Sequence, residues 1–551
     1  MLRGPLAVTA AGALLAVGLA TPLALLACCL SSRLRARIPP LLAIAPVPAL
    51  AAALLADGGR IALPQALLGV TLALDLPGAI LLGTAALLWI AAGLYAAAAL
   101  RGRPNGGRFA VWWLATLTGS LGVFMAADLI SFYLVFAMVS LSAYGLVVDD
   151  GTPRARRAGA VYVSLAVLGE AFLLMGFVLL AAAAPGGSLL IHDAVTALPA
   201  SPWRESTLLL LILGFGLKIG LVPLHVWMPL AYTAAPIPAA AVLSGAAVKA
   251  GVIGLIRFLP LDVAMPDWGL ALAGVGLLSA FYGVAVGITQ ANPKTVLAYS
   301  SVSQMGVIAA VFGMGLASGR AGGTALAASF YAAHHILVKG GLFLAVGAAQ
   351  ATSRRRLWTV LLPAAVLALS LAGLPLTGGA LAKLAVKAPL GDGVVGLFAT
   401  VSAAGTTLLM LHFLARLEPS AAPDAAGSAP AGLAVPWLAT AFAAVAVPWA
   451  LYLTIGLGTV SEALDPAAVW TAVWPVLVGG VLAVGLRRWG GHLPRVPEGD
   501  VVVLADGASS AARATGDALE RLDALLRQWP VAGVSLLLVA LVLGAAMLAG
   551  R

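Results

Sequence analysis

Charge is what this sequence has least of. Only 9% of its 551 residues are Asp, Glu, Lys or Arg and 62% are hydrophobic, whereas soluble domains carry about 25% charged residues. A water-soluble enzyme is excluded on that ground, and so is a row of globular domains, because no long polar insertion interrupts the apolar runs. Cysteine is nearly absent. Cys28 and Cys29 are adjacent inside the first apolar run, which leaves no disulfide framework, no iron–sulfur spacing and no metal-ligand pair. No glycine cluster forms a Rossmann or P-loop fingerprint. We therefore expect no metal, no cofactor and no catalytic residue in this chain; any oxidoreductase or hydrolase chemistry would belong to other subunits. Lysine is the scarcest base, with 6 lysines against 25 arginines.

What is present is a series of apolar runs of spanning length: residues 5–30, 38–56, 79–100, 108–127, 129–148, 158–184, 207–229, 237–258, 268–288, 295–316, 323–350, 358–389, 393–416, 433–457, 469–486 and 530–550. The first is too long for a signal-peptide core and leads into RLRARIPP rather than a cleavage site, so it is read as a span. The expected architecture is an all-α polytopic membrane protein of about sixteen transmembrane helices. Net charge is +10, but its placement points to membrane orientation and not to nucleic acid. Loops after odd-numbered spans hold twenty lysines and arginines, and loops after even-numbered spans only Arg60, Arg204, Arg257 and Arg320. The positive-inside rule then puts the odd loops in the cytoplasm of a cell membrane and both termini outside. Residues 507–528 alternate as an amphipathic surface helix before the last span.

The loop clusters use arginine: RLRAR at 33–37, RGRPNGGR at 101–108, RARR at 154–157, RRR at 354–356. The lysines lie instead within or at the ends of apolar runs. Arginine keeps its proton under almost any condition, whereas a desolvated lysine can release one. In GFGLKIGLVPLHVWMP, residues 214–229, Lys218 precedes Pro223, His225 and Pro229. Lys249 occupies the next span. In YAAHHILVKGGLFLAVGA, His335 and Lys339 are four apart and share a helix face. LAGLPLTGGALAKLAVKAPL places Pro375, Gly378 and Gly379 ahead of Lys383 and Lys387. Two interrupted helices, each beside an interior lysine, point to a transport site, and intramembrane ionisable groups are functional by default. Each has a plainer reading: Lys387 at a helix end can snorkel to the interface, and His225 can satisfy a carbonyl freed by Pro223.

LKIGLVPLHVWMPLAYTAAP, LSGAAVKAGVIGLIRF, LAYSSVSQMG and HHILVKGGLFLAVGA, in that order, resemble the antiporter-like proton-conducting subunits of respiratory complex I, Mrp-type antiporters, group 4 hydrogenases and inorganic-carbon uptake systems. The resemblance covers roughly residues 108–416. It implies helices 1–3 in residues 1–107, two inverted five-helix repeats at 108–258 and 268–416 with helices seven and twelve broken, and helices 14–16 in 433–551. It also implies that Lys218 is the central lysine of the first half. Lys249 and His335 with Lys339 would be connecting relays and Lys383 the outlet lysine. Apart from the resemblance, His225, His334 and Lys387 are candidate relays by residue type and position. The partners implied are other subunits of a membrane complex, with protons, or Na+ in exchange, as cargo. A passive membrane subunit for a soluble partner, as in carbon uptake, is the competing class. One departure stands out. The family's glutamate in the fifth span falls on Ala137 here, leaving Glu170 or Asp128 as the acids able to partner Lys218.

Overall fold

The computed structural model describes residues 10–503, apart from 57, 64–68, 104 and 422–426, and residues 515–521 and 524. The expected last span, 530–550, and most of the surface helix at 507–528 lie outside the described residues; residues 515–521 of the latter are helical. Among the described residues, eleven helices are long and apolar enough to cross a bilayer. They coincide with the first, third, fifth, sixth, eighth to eleventh and thirteenth to fifteenth expected spans. The chain is an all-α multi-pass membrane protein. Its lipid-side surface carries exposed Val178, Leu278, Phe442 and Val481, while Lys218, Lys249, His335 and Lys339 are buried. That is the reverse of a soluble protein.

The remaining expected spans differ in instructive ways. The fourth is the 17-residue helix Gly106–Gly122. Residues 38–56 are not one helix: a 3-10 turn at Pro39–Leu41 gives way to turns and then to the nine-residue helix Val47–Leu55. Pro39, Pro40, Pro46 and Pro48 remove the amide donors a continuous helix needs. The segment still runs antiparallel to its neighbour Leu76–Ala99, since Gly93 abuts Ala43 and Gly83 abuts Ala53. The seventh and twelfth are broken, as described below. A short antiparallel hairpin, Arg60–Leu63 with Val70–Ala73, adds a β element that helical periodicity did not announce.

Close packing comes from small residues, as expected where lipid offers no hydrophobic drive between helices. Helices Pro266–Gly287 and Pro293–Ser318 meet along Gly269, Gly276 and Gly283 on one and Gly306 and Gly313 on the other. A Cβ at Gly276 would lie 2.5 Å from the Gly306 carbonyl oxygen. This seam fixes Pro293–Ser318, every turn of which is buried, at the centre of the bundle.

Candidate functional site

Two helices stop inside the bundle and restart. Arg204–Ile219 ends in a Schellman motif: Gly220 is left-handed (φ 76°), its N–H donates to the Leu217 carbonyl at 3.1 Å, and the Leu221 N–H donates to Gly216 at 2.9 Å. Trp358–Ala372 ends the same way: Gly373 (φ 99°) donates to Ser370 at 2.9 Å and Leu374 to Leu369 at 2.9 Å. Both glycines begin a matching phrase, Gly-Leu-Val-Pro-Leu at 220–224 and Gly-Leu-Pro-Leu at 373–376. This repeat was the signal that ties the two breaks together. Tryptophans brace both breaks: Trp227 Nε1 adds a second donor to the Leu217 carbonyl at 2.9 Å, and Trp449 Nε1 donates to the Leu376 carbonyl within the second break at 3.0 Å. The chain resumes as Trp227–Ala234 and Gly378–Leu390. At Gly379 a Cβ would sit 1.6 Å from the Ser370 carbonyl oxygen and 3.2 Å from His334 Cε1, so only glycine fits there.

Lys218 lies in the last turn before the first break. Its ammonium donates to Ser140 Oγ at 2.7 Å and rests 5.3 Å from the centroid of the Phe136 ring. The buried Glu170 carboxylate interacts electrostatically with Lys218, but neither of its oxygens has a hydrogen-bond partner among the described residues. Tyr162 donates to the Ser140 carbonyl at 2.7 Å, holding that turn. Glu170 thus stands beside the lysine, whereas Ala137, one turn before Ser140, carries no acid. Asp128 is elsewhere. It caps helix Leu129–Val147, accepting from Ser131 N at 2.7 Å, Ser131 Oγ at 2.6 Å and Thr71 N of the hairpin at 2.7 Å. The structure does not bring Asp128 to Lys218. His225, in the break, stacks edge-on against Tyr282 with centroids 5.0 Å apart.

Lys249 follows a π-helical turn, Leu243–Ala247, a distortion common at functional sites. Its ammonium lies 3.2 Å from the Ser244 carbonyl and 2.6 Å from His335 Nδ1. Lys339, one turn beyond His335, donates to the Leu297 carbonyl at 2.7 Å and to Ser300 Oγ, and it interacts electrostatically with Lys249. The neighbouring His334 points to the other half: its Nε2 is 2.9 Å from Ser370 Oγ, and it feels the charge of Lys383. Lys383 reaches back across the second break to donate to the Ala372 carbonyl at 2.5 Å, where the negative end of the preceding helix favours a cation. Lys387 is exposed. Lys294, which the sequence puts in a loop, is tucked against the end of Trp227–Ala234, donating to Thr233 O at 2.7 Å and Ala235 O at 2.5 Å.

Further polar groups lie on Pro293–Ser318. The serines of LAYSSVSQMG were legible in the sequence as lining a hydrated path or packing helices, whereas Thr295 and Gln304 were not. Thr295 Oγ1 is 2.9 Å from Thr233 Oγ1, Ser300 holds Lys339, and Ser301 Oγ is 3.0 Å from Ser244 Oγ. Gln304 accepts from Tyr331 at 2.6 Å and donates to Thr406 at 3.1 Å. Beyond Gln304 opens a cavity of about 570 Å³ lined by Tyr331, Lys383 and Thr406, with Asp392, Glu462 and Asp465 toward the arginine-poor face. The result is a file of buried hydroxyls, amines and imidazoles crossing from one face of the bundle toward the other, built of groups that exchange protons.

Hydrogenase-4 component B of Escherichia coli (strain K12) is 30% identical over 302 residues, 52% of this chain and 44% of its own length. Na(+)/H(+) antiporter subunit A1 of Staphylococcus haemolyticus (strain JCSC1435) is 31% identical over 301 residues, 50% of this chain and 37% of its own. The chain spans about half, or less, of the length of these relatives. Its architecture is similar to that of a chain in the Mrp complex from Dietzia sp. DQ12-45-1b, with a TM-score of 0.78 at 21% identity over 98% of this chain and 63% of that one. Residues 126–408, just over half of the chain and inclusive of all six lysines and both breaks, match the family described as NADH:quinone oxidoreductase/Mrp antiporter, TM, and the chain belongs to that family.

Proposed function

We propose that this chain is a proton-translocating, antiporter-like subunit of a larger membrane complex. The observation that carries the proposal is the buried series Lys249–His335–His334, which continues through His334 to the half-buried Lys383 at the second break, beside a cavity open toward the arginine-poor face. Imidazoles and desolvated amines are the side chains suited to passing protons. His335 and His334 are consecutive, so their directions differ by about 100° on the helix, and one dipeptide can serve both halves. Lys249 and Lys339 share a dry core where two ammonium charges repel; loading one disfavours loading the other, which is a means of moving charge stepwise between the halves.

The matched Schellman breaks support two repeats at 108–258 and 268–416. The first broken helix starts near Arg204 and the second near Arg354–Arg356, and these ends lie at opposite faces by the distribution of arginine, as inverted repeats require. The positive-inside rule makes the arginine-rich face cytoplasmic. Cysteines introduced at the exposed positions 156 and 355 should resist an impermeant thiol reagent in intact cells and react in inverted vesicles; labelling in intact cells would overturn the orientation.

The proposal is tested in membrane vesicles carrying the full chain with its partners. An imposed pH gradient should dissipate faster than in vesicles from a deletion strain. Equal rates would reject proton translocation. Exchange of Na+ for protons is the second reading, favoured by the name of the Staphylococcus relative; it requires the flux to depend on Na+ on the opposite side.

A further inference from the structure

The described chain after the helix Pro466–Trp489 does not leave the bundle at once. Residues 490–498 cross the arginine-rich face as a strap, pinned where Gln290 Nε2 donates to the Val496 carbonyl at 3.0 Å. Gln290 is itself held by His412 Nε2, which donates to its carbonyl at 2.8 Å. The strap ends by placing Glu498 at the start of Pro293–Ser318. There Thr295 Oγ1 donates to Glu498 Oε1 at 2.9 Å, and the other carboxylate oxygen pairs with Arg154. Thr295 and Thr233 are both buried and hydrogen-bonded to each other, while the Glu498 side chain keeps 31% of its surface exposed. One carboxylate therefore touches water on one side and a buried hydroxyl pair on the other. The charged groups around it are Arg154, from the helix Pro153–Ala183, and Lys294, with Asp150 beside Lys294.

We propose that Glu498 is the proton-loading group at the arginine-rich mouth of the second half-channel; this rests on the proton-translocating reading above. The carboxylate takes a proton from a hydronium at the face, releasing water. The new O–H then donates to Thr295 Oγ, and the Thr295 hydroxyl turns its own proton toward Thr233 Oγ. Thr233, whose own hydrogen is held by the Pro229 carbonyl at 2.6 Å, only accepts; a water molecule inward of the pair takes the proton from Thr295 as the Glu498 proton replaces it, which returns Glu498 to carboxylate. Along the same helix Ser300, the partner of Lys339, is about 7.5 Å further in. The strap thereby belongs to the transport path.

A structural alternative exists: Glu498 could matter solely as the anchor that ties the strap to Arg154. Four variants separate the two roles in vesicles of either orientation carrying the full complex, with the acid pulse applied first to the arginine-rich face and then to the other. Glu498→Gln should slow uptake from the arginine-rich face about tenfold or more, and Glu498→Asp should recover most of it. Thr295→Val, which leaves the ion pair intact, should reproduce the Glu498→Gln defect. Arg154→Gln, which removes the anchor and leaves the acid on Thr295, should stay within a few-fold of wild type. Wild-type rates in both Glu498→Gln and Thr295→Val would overturn the inference. Equal losses in Glu498→Gln and Arg154→Gln would overturn it too. If the wild-type complex moves no protons, the failure lies with the proposed function instead, since the comparison between variants then has no rate to compare.

Discussion

Lys383→Met should abolish proton flux and leave the protein folded. An ammonium inside a bilayer costs several kcal/mol, and Lys383 meets that with one backbone acceptor, Ala372, at 2.5 Å and the favourable end of a helix. Methionine keeps the length and the apolar stem and removes the charge. Replacing buried ionic groups by apolar ones of similar volume is often neutral or stabilising by about 1–4 kcal/mol. Loss of a positioned proton-transfer group typically reduces a rate by about 10²–10⁴-fold. The expected result is therefore a loss of at least about a hundredfold in flux, with thermal stability in detergent equal to or above wild type. Retention of flux in Lys383→Met would remove the second break from the path. Loss of flux accompanied by loss of the folded chain would mark Lys383 as a structural cap for Ala372.

The features that disclosed the site in the sequence were those that are costly in a membrane. Lysines in apolar runs, and prolines and glycines beside them, break rules that the other spans obey, and both broken helices were legible for that reason. Residues whose role depends on which distant backbone meets them were not legible. Asp128 reads as a spare acid near Lys218, yet three donors, one from a hairpin 57 residues earlier, make it a helix cap. Lys294 reads as a loop lysine snorkelling to the interface, yet it closes the end of Trp227–Ala234. The partition of His334 and His335 between the two halves follows from the rotation of one helix between two packing partners, which i, i+4 spacing to Lys339 alone could not reveal. Residues 38–56 were apolar enough to be counted as a helix, and their four prolines were the overlooked sign of interruption. Glu498 sits in a short polar stretch between Pro497 and Gly499, where nothing local distinguishes it; only the fold sets it against Thr295.

The vacancy at Ala137 leads to the other large effect. Family resemblance puts a glutamate there, and the structure puts one at Glu170, on the neighbouring helix Pro153–Ala183, beside Lys218 and Ser140. Glu170 is the buried acid whose charge acts on Lys218, and removing it leaves the buried ammonium without that countercharge. If Glu170 has taken over the partner role, Glu170→Gln should cut flux about tenfold or more while preserving side-chain volume and hydrogen-bonding capacity. Ala137 shares a face of Leu129–Val147 with Ser140, three residues on, which already holds the Lys218 ammonium at 2.7 Å. A carboxylate at 137 is then within reach of the same lysine, so Glu170→Gln combined with Ala137→Glu should recover a substantial part of the lost flux, whereas Ala137→Glu alone should add a second acid acting on one lysine and slow transport. The recovery must require Lys218: in a triple variant also carrying Lys218→Met it should vanish. Wild-type flux in Glu170→Gln would show that Lys218 needs no carboxylate here and that Ser140 and the Phe136 ring suffice to hold it. Loss in Glu170→Gln without any recovery from Ala137→Glu would mean instead that the acid serves at its own position, among Tyr133 and Tyr162, and not merely as a countercharge transferable between two helices.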